Sequence, residues 1–190
     1  MLILASQSPR RREILSMLGY DFLCKPVYAD ETIPADASPE TAVQLLARRK
    51  AEAVACAPDD VALGSDTVVA LENRILGKPA NTEEAAGMLR SLSGKYHTVH
   101  TGVCLKSAEK CEVFAVSTLV EFFPLTDAEI AAYVATGDPM DKAGAYGIQG
   151  IGAINIRRID GDFFTVMGLP AAQTARALRR FGILPRYLET

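Results

Sequence analysis

The chain has 190 residues, 49% of them hydrophobic and 23% charged, with a formal net charge of −3. That is ordinary globular composition for one large core or two small ones tightly joined, and it argues against a general nucleic-acid binder, which would be basic overall. No apolar run approaches the roughly 18 residues of a membrane span and MLILA is too short for a secretory signal, so a cytosolic protein is expected.

Leu2–Ala5 is an apolar run that ends in a polar loop and reads as a buried strand. Ser8-Pro9 opens a helix, with Ser8 as cap and Pro9 in the first turn; Ile14, Leu15 and Leu18 share a face and Gly19 ends it. Ser38-Pro39 opens a second helix through TAVQLLARRKAEAVA. Val61–Leu63 and Val68–Leu71 read as strand segments on either side of GSDT, and Asn73 marks a turn. NTEEAAGMLRSLSG has the signals of a third helix, capped by Asn81 or Thr82 and stopped by Gly94. HTVHTGVCL and CEVFAVSTLVEFF read as neighbouring strands, and Thr126 with Glu129 forms a capping box for TDAEIAAYVATG. After the glycine-rich DKAGAYGIQGIG, AINIRRI and FFTVM flank the turn signal Asp160-Gly161-Asp162 and are expected to form a hairpin. Pro170 starts a last helix that stops near Gly182. The pattern predicts an α/β domain with a mixed sheet. Cys24, Cys56, Cys104 and Cys111 are widely spaced without a CxxC pair, which reads as small buried hydrophobes in a reducing compartment.

Three stretches break local rules. Arg10 and Arg11 stand in the first turn of a helix, where unpaired N–H donors and the helix dipole disfavour cations by a few tenths of a kcal/mol. Together with a Ser-x-Ser loop and a preceding strand, they form a site for an anion such as phosphate. Arg12 projects about 100° further round and is left as a surface residue. In LGSDTVV, Asp66 lies inside a buried strand; a carboxylate there costs several kcal/mol unless it meets a metal, a cation or a reacting water, or caps a turn. In DKAGAYGIQG the glycines let backbone approach a ligand, and Gln149 carries both donor and acceptor for a base edge; composition equally allows a flexible connector. Taken singly, Lys50, Lys78 and Glu31 read as solvated charges. His97 and His100, three apart in a strand, face opposite sides and suit no shared metal.

LASQSPRRREIL, ADET, LARRKA, GSDTVV, LGKP, LSGKYHTVHTGV, DKAGAYGIQG and VMGLP, in that order and over essentially the whole chain, resemble the Maf family of nucleoside triphosphate pyrophosphatases. The resemblance implies a single domain over 1–190, an α/β fold similar to the inosine triphosphatases with a mixed sheet flanked by helices and two lobes around a cleft, and a cytosolic homodimer. It implies hydrolysis of nucleoside triphosphates to the monophosphate and pyrophosphate with a divalent cation. Arg10, Thr67 and Gln149 match the branch acting on dTTP and UTP; the Trp, Gln and Glu set of the 7-methyl-GTP branch is absent. On this reading Ser6, Arg10 and Arg11 hold phosphate oxygens, while Lys50 and Lys78 add charge for the leaving pyrophosphate. Glu31 and Asp66 hold Mg²⁺ or Mn²⁺, Asp66 orients or deprotonates water, and Thr67 and Gln149 meet the base. Many relatives carry an acid shortly after GKP, where this chain has Asn81. A non-catalytic nucleotide-binding regulator linked to cell division is the alternative; a protein-interaction module would leave the arginine-loaded helix start unexplained.

Overall fold

The computed structural model describes residues 1–188. The chain runs β1 (Leu2–Leu4), α1 (Pro9–Met17), β2 (Phe22–Cys24), α2 (Pro39–Glu52), β3 (Val61–Leu71), β4 (Arg74–Leu76) and α3 (Thr82–Leu92). It continues through β5 (Tyr96–Lys106), β6 (Cys111–Phe122), α4 (Asp127–Ala135), β7 (Ile156–Asp160), α5 (Phe163–Met167) and α6 (Ala171–Arg180). The strands form one mixed sheet in the order β2-β1-β3-β5-β6-β7, with β4 paired to β3. β1 runs parallel to both β2 and β3, whereas the β3–β4 and β6–β7 pairs are antiparallel. The α/β class with a mixed sheet is therefore as expected.

The chain divides into two compact units. The first holds Met1–Asp66, Thr101–Val116 and the chain from Gly168 on; the second holds Thr67–His100 and Ser117–Met167. Ile3, Ala5, Ala47, Ala51, Ala62 and Cys104 pack together in the first. In the second, α3 contributes Ala85, Leu89 and Leu92 to a cluster with Val99, Phe122 and Ile130. No helix among the described residues is long and apolar enough to cross a membrane.

Most helix ends follow the local chemistry. Ser38 accepts from the Thr41 amide, Asn81 from the Glu84 amide, and Thr126 with Glu129 closes a reciprocal capping box. Gly19, Gly94 and Gly182 follow helices α1, α3 and α6 with φ of +79°, +66° and +72°. Glu72 and Asn73 both have positive φ and connect Leu71 to its partner Arg74, the two-residue turn that suits the twist of a hairpin.

Five expectations are corrected. β3 runs unbroken through GSDT, because strand pairing continues on either side of it. Ser8 sits at the cap position of α1 without a side-chain cap bond; its own amide donates to Ser6 Oγ at 3.1 Å. FFTVM is helical, so no hairpin forms with β7. Asp162 Oδ2 accepts from both the amide and the hydroxyl of Thr165 at 2.7 Å, a cap that outweighs the β-preference of the side chains. Cys24, Cys56 and Cys111 are exposed and only Cys104 is buried, since β2 is a sheet edge and the others stand at a loop and a strand start. DKAGAYGIQGIG lies in a run of three 3₁₀ turns, Asp138–Asp141, Ala143–Ala145 and Gly150–Asn155, with Gly144 and Gly152 buried, which is an ordered segment and not a loose connector.

His97 and His100 separate as their spacing predicts: His100 meets Ser117 Oγ at the surface, while His97 is buried. His97 Nε2 shares a hydrogen bond of 2.8 Å with Tyr146 Oη, and its ring packs edge-on to Phe122 and Tyr146. Its Nδ1 has no hydrogen-bond partner among the described residues, and burial lowers the pKa from 6.5 to about 4. A base whose folded pKa is depressed stabilises fully above its unfolded value and loses that contribution as pH falls from 6.5 toward 4. Urea unfolding should show a loss of about 2 kcal/mol between pH 7.5 and 5 that is absent in His97→Gln. Equal losses in both proteins would exclude His97 as the source.

Candidate functional site

The first unit gathers most of the residues singled out in the sequence. β1 ends at Leu4, whose partner is Leu63, while β3 carries on through Gly64, Ser65 and Asp66. The Ala5 amide still donates to the Leu63 carbonyl at 2.8 Å, so the loop leading into α1 leaves the sheet beside GSDT. Ligands of open α/β sheets bind at such carboxyl ends of parallel strands.

Arg11 is folded back across this loop. Its Nε donates to the Gly168 carbonyl at 2.8 Å and its Nη1 to Ser6 Oγ at 3.1 Å. Ser65, fully buried, donates to the same Gly168 carbonyl at 3.1 Å. Burial lowers the Arg11 pKa; Asp66 raises it, Arg10 lowers it and Glu31 raises it, so all three charges lie within its field. An arginine stays charged under such a shift. α1 has no acid in its first turn and no base in its last, the reverse of what its dipole favours. The fold thus concentrates positive charge at this helix start against both solvation and dipole.

α2 brings the second cation. A Cβ on Gly64 would overlap the Ala47 carbonyl, and one on Gly102 the Val43 carbonyl, so α2 lies directly on the backbones of β3 and β5. Lys50 follows Val43 on that helix by two turns and Ala47 by one. Its ammonium lies 2.5 Å from Asp66 Oδ1 and 3.0 Å from Glu31 Oε1. Lys50 and Asp66 side chains are each 14% exposed, against 68% for Glu31, so the Lys50–Asp66 contact is the sheltered one.

Two carboxylates converging on one ammonium form an oxygen-donor pair around a place that accepts positive charge. Among the described residues no group of three or more His, Cys, Asp or Glu could hold a metal alone. The pair nevertheless fits Mg²⁺ or Mn²⁺, which are commonly held by one or two carboxylates with phosphate and water completing the shell.

The second unit holds Thr67, Lys78 and Gln149. Thr67 and Gln149 are half-buried, and Lys78 is exposed. Lys78 follows Gly77, whose carbonyl accepts from the Gly144 amide at 3.0 Å, and Gly144 itself packs against Val69. LGKP is thereby fastened to the glycine-rich segment. Gln149 immediately precedes the 3₁₀ turn Gly150–Asn155. Asn81, in place of an acid, caps α3.

Arg49 and Gly168 also build the site, beyond the residues singled out in the sequence. Arg49 Nη1 donates to the carbonyls of Asp30 and Thr32 at 3.0 and 2.6 Å and lies 3.3 Å from Asp30 Oδ2, which holds the segment bearing Glu31. The available signal was the double cation of LARRKA and the glycine of VMGLP. If α2 must touch β3, Gly64→Ala should destabilise by at least about 2 kcal/mol in urea unfolding. A change below about 0.5 kcal/mol, the scale of an ordinary surface substitution, would contradict that contact.

Comparison with known proteins adds the lineage. The family model described as Maf-like protein matches residues 1–181. A Geobacillus sp. protein named dTTP/UTP pyrophosphatase is 52% identical over 182 residues, 95% of this chain and 98% of its own. Proteins of the same name from Bacillus velezensis and Bacillus pumilus are each 49% identical, covering 96% and 97% of this chain and 97% and 98% of theirs. Among solved structures, the Staphylococcus aureus Ham1 protein aligns with 98% of this chain and 92% of its own at 14% identity and a TM-score of 0.49, too loosely to assign anything to this site. The match runs nearly end to end, and the chain belongs to the family of Maf-like proteins.

Proposed function

We propose that this protein hydrolyses dTTP and UTP to the nucleoside monophosphate and pyrophosphate. The observation that carries the reading is Lys50, held between Asp66 and Glu31 within the field of Arg11. The end-to-end relatives named dTTP/UTP pyrophosphatase support the choice of substrate.

A triphosphate carries close to four negative charges at pH 7, so hydrolysis needs cations placed before the reaction begins. Ser6, Arg10 and Arg11 hold phosphate oxygens at the start of α1, and Lys50 and Lys78 balance charge on the departing pyrophosphate. Asp66 accepts the proton of the water that attacks the α-phosphorus, as the bond from that phosphorus to the bridging oxygen breaks. Glu31 and Asp66 would hold Mg²⁺ or Mn²⁺, and the bound cation would supply positive charge against the phosphates. Thr67 and Gln149 hydrogen-bond the uracil or thymine edge, and a base that leaves the amide unpaired costs about 1–3 kcal/mol. A homodimer working in the cytoplasm completes the proposal.

Incubation with Mn²⁺ and a panel of nucleoside triphosphates should release pyrophosphate fastest from dTTP and UTP. Nucleotide binding without pyrophosphate release would favour a regulator instead. Asp66→Asn should lower turnover at least about 100-fold, the scale of a general base; near-normal turnover would remove Asp66 from the mechanism. Gln149→Glu should flatten the preference for uracil and thymine over cytosine, and an unchanged profile would refute base reading by this amide.

A further inference from the structure

The segment carrying Gln149 closes on itself around one phenol. Gly147 and Gly152 lie backbone to backbone: a Cβ on Gly152 would overlap both the Gly147 carbonyl and the hydroxyl of Tyr133. Tyr133, buried on α4, accepts from the Gly147 amide at 3.3 Å and donates to Asp138 Oδ2 at 2.6 Å. Lys142 then clamps Asp138, donating to its carbonyl at 2.5 Å and to Oδ1 at 3.1 Å, and also reaches Asp141 Oδ1 at 2.7 Å. On the near side of the neck, Tyr146 is held by His97. Both ends of the loop 147–152 therefore meet at the Tyr133 hydroxyl, with Gln149 between them.

We infer that the Tyr133 hydroxyl is a positioning group that fixes the loop 147–152, and through it the Gln149 amide, so that it sets base selectivity without touching substrate. This rests on the reading of Gln149 as the base contact. The chemistry favours a positioning role over a merely structural one. The hydroxyl's donor goes to a carboxylate that is itself locked by an ammonium, so the acceptor lone pair facing Gly147 has a fixed direction. A backbone amide two residues before Gln149 is thereby held against that lone pair. The glycine at 152 allows the return strand of the loop to reach the same atom; any larger residue would open the neck. Discrimination between bases that differ in one donor or acceptor depends on such pre-set geometry, and a displacement near 1 Å can cost up to about a hundredfold.

The test compares kcat/KM for dTTP and dCTP in the wild type, Tyr133→Phe and Gln149→Glu, with thermal melting of each. Tyr133→Phe keeps the ring and deletes only the oxygen. It should reduce the dTTP-to-dCTP preference about tenfold while the dCTP value stays within about threefold, because the phosphate and water chemistry is untouched. Gly152→Ala, which keeps the phenol and widens the neck, should reduce the preference in the same direction and covers the case in which Tyr133→Phe fails to fold. If Gln149→Glu loses the preference but Tyr133→Phe and Gly152→Ala retain it, the positioning role is wrong while base reading by Gln149 stands. If none of the three changes the preference, the base-reading role itself fails, and the inference with it. A parallel fall for both nucleotides with the ratio unchanged would assign Tyr133 to general stability and overturn the inference.

Discussion

The contact between α2 and the glycines of the sheet constrains everything around the candidate site. Gly64 and Gly102, on neighbouring strands, leave no room for a side chain beneath the helix. The backbone of α2 consequently approaches β3 and β5 more closely than side-chain packing allows. The last turn of that helix then delivers Lys50 to Asp66, a residue whose position is fixed because β3 outruns β1. A buried carboxylate without a cation would be a heavy cost; with Lys50 in place the strand can carry it. Arg49, one residue earlier, draws in the Asp30–Thr32 segment and so supplies Glu31. One close packing contact thus assembles both carboxylates and the cation between them.

The arginines work against a different opposition. Arg11 donates to two neutral oxygens, the Gly168 carbonyl and Ser6 Oγ, and its charge lies in the field of Asp66 and Glu31. With no acid in the first turn of α1, the site is left rich in positive charge at a helix start. A polyanion reverses each of these costs at once, since it gains the helix dipole, the guanidinium groups and the ammonium together. Stability given up locally at a site that a ligand restores is a common signature of function. The second unit uses another device: glycines and two tyrosines give an irregular segment a single conformation, with Ala145 and Tyr146 set into the core.

Much of this was legible in local sequence because local chemistry decided it. Caps at Ser38, Asn81 and Thr126 and stops at Gly19, Gly94 and Gly182 were readable from one turn of chain, and so were the opposed histidines. The misreadings have physical causes. FFTVM carries strand-forming side chains, and the Asp162–Thr165 bonds cap it as a helix. GSDT contains glycine and polar residues that ordinarily break strands; pairing on both sides overrides them. The Lys50–Asp66 contact joins residues from a helix and a strand, so neither stretch alone announces it, and Lys50 by itself looks like a solvated lysine. Likewise the glycine in GSDT resembles a turn former, and its real function, admitting a helix, depends on a partner far away in the chain. The substrate class came from resemblance across many short stretches, with the arginine-loaded helix start as its physical counterpart.

The central claim is that water activated beside Asp66 attacks the α-phosphorus of a nucleoside triphosphate. Hydrolysis of dTTP in ¹⁸O-labelled water, with the products resolved by mass spectrometry, tests it most directly. The account predicts one labelled oxygen in thymidine monophosphate and none in the pyrophosphate. Label in pyrophosphate, or release of orthophosphate with the diphosphate left behind, would contradict it.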